Sequence, residues 1–260
     1  MKIGVLGAGQ LGRMMAISGY PLNHQFGFLG NSTDEPSALL GHMFALEDNA
    51  DNIESLVDFA DVITYESENT DVEVVKKINK NIPVYPSEKS LFTTQHRGRE
   101  KALFDQLNIP CAPYQMVNSV DDLKTAVDNI GLPAILKTAT EGYDGKGQFL
   151  MRDVSQMNEA WESINGVESI LEGFVNFKRE LSLIAVRGID NDHRYYPLVE
   201  NTHHDGILRL TIAPAQDIDP AVQTTAERYM QTLLDEMGHV GVLTIELFET
   251  EDGLVVNEMA

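Results

Sequence analysis

The pattern of apolar segments changes near residue 86, and this change constrains the fold more than any other feature of the chain. Before it, short apolar segments alternate with amphipathic helical stretches, which is typical of a parallel sheet with crossover helices. The predicted strands of this part are residues 2–6, 25–29, 61–65 and 82–85. Residues 1–95 are therefore predicted to form a parallel α/β domain of the Rossmann-like type.

After residue 86 a second domain is predicted, spanning residues 96–260. Two helical segments, 88–95 and 99–107, lead into a proline-punctuated stretch. Helices at 120–130 and 155–164, with short strands between them, predict a small α+β lid over about 110–175.

Longer alternating strands follow the lid and predict a mostly antiparallel core sheet over about 176–260. The predicted elements are strands at 180–187, 194–200 and 207–213, a helix at 221–236, and strands at 242–248 and 254–259. The fold class is thus α/β followed by α+β.

Composition restricts the classes of partner. The 260 residues are 43% hydrophobic and 23% charged, as in ordinary globular proteins. A formal net charge of −21 opposes broad contact with nucleic acid or anionic membranes, because both need basic surface. No apolar run approaches the length that crosses a bilayer. We expect a cytoplasmic protein that binds neither nucleic acid nor membrane. The single cysteine, Cys111, can form no internal disulfide and is expected to be a packed small residue.

A glycine-rich segment, residues 137–148, is a candidate phosphate-binding hairpin. Lys137 ends a short predicted strand, and Gln148 begins the returning one. The glycines that would let the backbone bend over an anion are Gly142, Gly145 and Gly147. A mobile surface turn is the alternative interpretation.

Residues 7–12, Gly-Ala-Gly-Gln-Leu-Gly, follow the first strand and open a helix. This context suits a phosphate at a helix N-terminus, as in dinucleotide-binding domains. However, the second strand carries no acidic residue at its tip to bind a ribose hydroxyl, since Asp34 and Glu35 come later. A simpler phosphorylated ligand is favoured over a nicotinamide cofactor, and tight strand-to-helix packing is the further alternative.

The last two predicted strands form a hairpin that carries two carboxylates. If residues of like parity pair, Glu246 and Glu258 project from one face of otherwise apolar strands. Two like charges on a half-buried face favour a hard cation between them, so a metal with oxygen ligands is predicted. Asn257 could take part only if the strand contains a bulge or ends there. An ordinary solvated face is the alternative.

Taken together, these motifs resemble the ATP-grasp family, and within it the enzymes that carboxylate 5-aminoimidazole ribonucleotide. The segments that carry the resemblance are residues 9–14, 62–69, 137–148, 170–175, 178–182, 200–208 and 246–258. The resemblance covers essentially the whole chain.

The resemblance implies ATP- and magnesium-dependent carboxylation of 5-aminoimidazole ribonucleotide by bicarbonate in purine biosynthesis, through carboxyphosphate. Manganese could replace magnesium, and a homodimer is implied. Three alternatives stay open: a related ATP-grasp ligase that uses formate or an amino acid, a nicotinamide oxidoreductase, and a non-catalytic nucleotide-binding module.

The resemblance also implies roles for individual residues. Glu246 and Glu258 hold the metal. The residues that face carboxyphosphate and the amino-imidazole are Tyr143, Asp144 and Lys146. Those at the ribonucleotide are Gly9, Gln10 and Leu11, with Glu66 or Glu68 at the acyl phosphate. The implied ATP-binding residues are Arg97, Lys137, Glu141, Gly142, Gly145, Gly147, Gln148, Glu172, Gly173, Phe174, Val175, Glu180, His203, Asn257 and Glu258.

Within this ATP-binding set, residues 172–175 are the implied adenine-contacting strand and Glu180 the ribose-binding residue, although a solvated strand end remains the alternative for Glu172. The family commonly has glycine where Glu141 stands. In the family the Asn-Glu motif continues into a segment that holds bicarbonate and substrate, and then into a further small domain, whereas this chain ends at Ala260. We expect a fragment that folds its first two domains and is catalytically incomplete.

Overall fold

The computed structural model describes residues 1–49, 51–142, 147–204 and 206–260. The chain divides into two compact units. The first consists of residues 1–92 with 238–241, and the second of residues 93–237 with 242–260.

The first unit contains a parallel sheet in the order β3-β2-β1-β4. Its strands are β1 (Lys2–Leu6), β2 (Gln25–Gly30), β3 (His42–Ala45) and β4 (Val62–Tyr65). The helices that begin in this unit are α1 (Gln10–Gly19), α2 (Asn52–Phe59), α3 (Val72–Ile78) and α4 (Glu88–Thr94). Val5, Phe28 and Ile63 are fully buried, as expected for strands covered on both faces.

Two details of this sheet differ from the prediction. The strand predicted at 82–85 is reduced to a single bridge between Ile63 and Val84. Pro83 and Pro86 flank this bridge and lack the N–H groups that a longer ladder needs. Strand β3 was not predicted, because it is short, begins at His42 and is largely half-buried.

In the second unit, helix α5 (Arg97–Gln106) precedes a four-stranded antiparallel sheet in the order β5-β8-β6-β7. Its strands are β5 (Tyr114–Val117), β6 (Ala134–Thr138), β7 (Gln148–Met151) and β8 (Ser169–Gly173). Helices α6 (Val120–Ile130) and α7 (Met157–Ser163) supply apolar side chains to its core. We call this part the lid sheet. The imidazole of His96 caps α5 by accepting from the N–H groups of Gly98 and Arg99, which moves the helix start ahead of its predicted position.

A larger sheet completes the second unit, in the order β12-β11-β9-β13-β14 with β10 beside β9. Its elements are β9 (Arg179–Arg187), β10 (His193–Tyr195), β11 (Val199–His204), β12 (Ile207–Ile212), α8 (Pro220–Met237), β13 (Gly241–Thr250) and β14 (Gly253–Met259). Leu233 and Leu234 of α8 pack with Leu181 and Leu183 of β9 in one buried cluster. Each such leucine contributes about 1.5–3 kcal/mol by burial.

The single strand predicted at 194–200 is wrong. This segment consists of two strands, β10 and the start of β11, separated at Pro197, which has no N–H to donate to a ladder.

Cys111 is half-buried and packs against the core cluster of the larger sheet, where burial raises the pKa of its thiol to about 11. In the part of the chain that the structure describes, no helix combines the length and apolarity needed to cross a membrane.

Candidate functional site

A buried group of three charged side chains lies beside the lid sheet. The Nζ atoms of Lys137 and Lys101 lie 2.9 Å and 3.6 Å from the same oxygen, Oε2 of Glu172. The side chains of Glu172 and Lys101 are only 5% and 1% exposed, so the alternative of a solvated strand end is wrong. Burial alone would raise the pKa of Glu172, but the charges of Lys137 and Lys101 outweigh it and hold that pKa below its ordinary value. The ionised carboxylate therefore orients the ammonium group of Lys137.

A β-bulge brings two further carboxylates together in the β13–β14 hairpin. The register shifts between Ile245 and Leu247, so that Glu246 alone faces both Asn257 and Glu258. Nδ2 of Asn257 donates to Oε2 of Glu246 at 3.4 Å. From the sequence, Asn257 could take part only if the strand contains a bulge or ends there. The bulge is present.

Cationic and anionic groups alternate around this bulge. Burial, and next the charge of Glu258, raise the pKa of Glu246. Nη2 of Arg97 lies 3.5 Å from Oε2 of Glu258 and donates to the carbonyl of Gly142 at 3.2 Å. The Nε atom of Arg97 is buried and has no hydrogen-bond partner among the described residues. A phosphate oxygen would satisfy it.

Glu180 and His203 lie on adjacent strands, β9 and β11, with Oε2 of Glu180 and Nδ1 of His203 2.6 Å apart. The charge of His203 acts to lower the pKa of Glu246, so this pair is close to the hairpin carboxylates. Arg179, the chain neighbour of Glu180, instead pairs with Glu249 at 2.6 Å. Glu180 and His203 therefore belong to the same group of charged side chains as Glu246 and Glu258.

The donor set suits a hard divalent cation that also binds phosphate. Among the described residues, no three His, Cys, Asp or Glu side chains converge tightly enough to hold a metal by themselves. The cluster offers the carboxylates Glu246 and Glu258 and the amide oxygen of Asn257. Magnesium typically takes one or two carboxylates and completes its shell with phosphate oxygens and water, so these residues fit it.

Only the ends of the glycine-rich hairpin can be described. Gly147 has φ +67°, and a Cβ there would lie 2.8 Å from Oγ1 of Thr138. Gln148 pairs with Lys137 across β6 and β7. Glu141 has φ +60°, a conformation that favours glycine. Four implied site residues lie outside the described ranges: Tyr143, Asp144, Gly145 and Lys146.

The implied adenine-contacting strand is shorter than expected. β8 ends at Gly173, whose N–H donates to the carbonyl of Pro113 at 2.8 Å. Phe174 and Val175 follow the strand and are not part of it, and Phe174 is exposed.

In the first unit a carboxylate of the chain itself occupies the glycine turn before α1. Oε1 of Glu66 accepts from the N–H of Gly9 at 2.8 Å, and Oε2 accepts from that of Gly12 at 2.7 Å. A Cβ at Gly9 would lie 2.8 Å from Oε1, so the turn needs glycine to admit the side chain. Glu68 is exposed, as is Leu11 of α1. A ligand phosphate cannot accept from Gly9 and Gly12 while Glu66 does.

The sequence interpretation missed two buried charged residues of α5, Glu100 and Lys101. They follow Arg97 by three and four positions and share its face of the helix. Burial, and next the charge of Glu258, raise the pKa of Glu100 to about 8. The only signal in the sequence is this spacing from Arg97, which equally fits a solvated helix face.

Two family models match the chain: the ribonucleotide synthetase preATP-grasp domain over residues 1–95, and the ATP-grasp domain over residues 102–260. N5-carboxyaminoimidazole ribonucleotide synthase of Pseudomonas aeruginosa is 44% identical, and the match covers 100% of this chain and 72% of that protein.

Solved structures agree with the sequence matches. The N5-carboxyaminoimidazole ribonucleotide synthetase of Thermus thermophilus superposes with a TM-score of 0.91 at 40% identity, over 99% of this chain and 70% of that one. The Aspergillus clavatus N5-carboxyaminoimidazole synthase, solved with ADP and 5-aminoimidazole ribonucleotide, gives 0.89 at 27% identity, over 100% of this chain and 69% of that one. These matches extend through both units, and the chain belongs to the N5-carboxyaminoimidazole ribonucleotide synthase family of ATP-grasp proteins.

Proposed function

We propose that the protein is a ligase that uses ATP to carboxylate 5-aminoimidazole ribonucleotide with bicarbonate in purine (IMP) biosynthesis. The products are N5-carboxyaminoimidazole ribonucleotide, ADP and phosphate. The names of the relatives, and the ADP and 5-aminoimidazole ribonucleotide in the A. clavatus structure, support the proposal. Within this chain it is carried by the paired carboxylates Glu246 and Glu258, which the β14 bulge sets beside Asn257 and Arg97.

The chemistry explains why ATP is needed. Bicarbonate is a poor electrophile, so one of its oxygens first attacks the γ-phosphorus of ATP, the bond to ADP breaks, and carboxyphosphate forms. The amino nitrogen of the ribonucleotide then bonds to the carboxyl carbon. Phosphate leaves with the electron pair of the broken carbon–oxygen bond, and the nitrogen loses a proton.

Cationic side chains would hold the transferring phosphoryl group. We assign Lys137 and Arg97 to the ATP phosphates, because both are fixed by buried or half-buried partners. Residues 172–175 are assigned to adenine and Glu180 to the ribose. Tyr143, Asp144 and Lys146 are assigned to carboxyphosphate, where a cation stabilises developing negative charge.

Magnesium, or manganese in its place, would be held by Glu246, Glu258 and Asn257. A metal bound there would neutralise charge on the phosphate oxygens. The raised pKa of Glu246 supports this role, because burial and the neighbouring Glu258 disfavour its charged form until a cation compensates.

The first unit is assigned to the ribonucleotide, with Gly9, Gln10 and Leu11 near its phosphate. Of the two glutamates left open by the sequence, Glu66 is favoured, because its carboxylate fixes the glycine turn through two N–H groups.

Replacing Glu66 with alanine is expected to weaken binding of 5-aminoimidazole ribonucleotide at least about 10-fold, because two charge-assisted hydrogen bonds that order the turn are lost. Calorimetry on the purified variant measures this. The control is Glu73→Ala, which removes an exposed carboxylate paired with Lys76 on α3. A large loss in Glu68→Ala combined with wild-type affinity in Glu66→Ala would reverse the assignment.

A cytoplasmic location and a homodimer are also proposed, the first from the supply of its substrates in purine biosynthesis and the second from family resemblance.

Calorimetric titration separates the proposed function from an oxidoreductase. ADP is expected to bind in a magnesium-dependent manner and NADH not to bind. Binding of NADH without binding of ADP would overturn the proposal.

A further inference from the structure

We propose that Glu100 and Lys101 are positioning residues that hold the bulged Asn257–Glu258 segment of β14 in the geometry its metal-binding groups need. The inference rests on the proposed function and concerns how the same site is built. Neither residue belongs to the site that the resemblance implies.

The contacts lie on either side of Glu258. Oε1 of Glu100 accepts from the N–H of Met259 at 2.5 Å. Nζ of Lys101 donates to the carbonyl of Asn257 at 2.7 Å. Glu100 is 3% exposed and Lys101 1%. Side chains on one face of α5 therefore form hydrogen bonds with the backbone of β14 at the residue before Glu258 and at the residue after it.

The bulge explains why these two hydrogen bonds are needed. Two residues of β14, Asn257 and Glu258, stand opposite one residue of β13, so the regular exchange of N–H and C=O groups between the strands is interrupted there. Backbone groups buried at such an interruption must find other partners. The carboxyl group of Glu100 and the ammonium group of Lys101 supply an acceptor and a donor.

A role in stability alone does not account for these residue types. Neutral polar side chains could satisfy the same two backbone groups without burying charge, and buried charges are weak evidence for stability. Lys101 also contacts Glu172, which in turn holds Lys137. A single buried side chain thus connects the metal-binding strand with the partner of the phosphate-binding lysine, so the two halves of the ATP site are positioned together.

The test compares three variants of the 260-residue chain for ADP binding with saturating magnesium and with a chelator. Glu100→Met removes the acceptor at similar volume, and Lys101→Met removes the donor. In both, the gain in ADP affinity caused by magnesium is expected to fall at least about 10-fold, the usual scale for groups that orient metal ligands. In Glu100→Met the metal-free affinity should stay within about twofold. Glu100→Gln keeps an acceptor for Met259 and is expected to recover most of the gain.

A destabilised helix is the competing explanation, and Leu103→Ala controls for it. Leu103 packs against the core from the same helix, so its truncation is expected to lower the unfolding temperature and leave the magnesium gain unchanged. An equal loss of the gain in Leu103→Ala, a wild-type gain in Glu100→Met, or no recovery in Glu100→Gln would overturn the positioning role and leave the proposed function standing. A wild-type chain that binds ADP without any magnesium gain would overturn both.

Discussion

Replacing Glu246 and Glu258 together with glutamine is expected to abolish the magnesium dependence of ADP binding, a loss on the order of 100-fold in affinity at saturating magnesium. Glutamine keeps the size of each side chain and removes the two charges that would neutralise the cation. Affinity measured with a chelator should change little, since Lys137 and Arg97 remain. Calorimetry with and without magnesium measures both quantities.

Stability separates a lost metal site from a damaged fold. The pKa of Glu246 is raised in the folded protein, so its contribution to the free energy of unfolding is fully present below its ordinary pKa and is lost as pH rises through the folded value. Neutral glutamine removes this loss, and at pH 7.5 the metal-free variant should unfold at the wild-type temperature or above it. The matched control, Glu251→Gln with Asp252→Asn, removes two charges from the turn of the same hairpin. Unchanged magnesium dependence in the Glu246 and Glu258 variant would contradict the metal assignment.

Replacing Lys137 with methionine is expected to lower both affinity and stability. The affinity for ADP should fall about 10- to 100-fold with or without magnesium, because a charged hydrogen-bond donor to phosphate is lost. The free energy of unfolding should fall by about 2–4 kcal/mol, because Glu172, 5% exposed, loses its nearest cation and keeps the weaker effects of Lys101 and Arg97. Equilibrium unfolding in urea at pH 7.5 measures the second effect.

Adding Glu172→Gln to the Lys137→Met variant tests whether the two effects have separate causes. The double variant buries no unpaired carboxylate but leaves Lys101, 1% exposed, without its carboxylate partner, so part of the lost stability should return while the affinity for ADP stays low. Recovery of affinity together with stability would mean that Lys137 supports the fold and does not bind the nucleotide. Stability as low as in the single variant would mean that the Glu172 ion pair does not explain the loss.

The two sheets and the carboxylate-bearing hairpin could be predicted from the sequence, because they depend on regular patterns along the chain. The parallel sheet follows from short apolar strands that alternate with amphipathic helices, and the antiparallel core sheet and the hairpin with Glu246 and Glu258 follow from alternating apolar residues along each strand. A role for Asn257 could be predicted only on the condition that the strand contains a bulge, because no glycine in the sequence marks the bulge and the contact that Lys101 makes there comes from a distant helix.

Groups fixed by distant partners could not be predicted. Lys101 and Glu100 are ordinary charged residues on a helix until Asn257 and Met259, over 150 positions later, supply their partners. The choice between Glu66 and Glu68 likewise depends on contacts with the glycine turn, 54 and 57 positions away in the sequence. The strand predicted at 82–85 is reduced to one bridge because Pro83 and Pro86 lack the N–H groups of a longer ladder, although the other residues of the segment are typical of a strand.

Phosphate release from ATP, measured with bicarbonate and 5-aminoimidazole ribonucleotide each present or absent, tests ATP-dependent carboxylation most directly. It should be run on this chain and on the same chain extended by the part of the P. aeruginosa relative that lies beyond the match, since this chain spans 72% of that protein. The expected result for the extended chain is phosphate release that requires bicarbonate, rises with the ribonucleotide and matches the amount of N5-carboxyaminoimidazole ribonucleotide formed, with a lower rate for the 260-residue chain. Release that formate or an amino acid stimulates in place of bicarbonate, or no release by either chain, would contradict the proposed function.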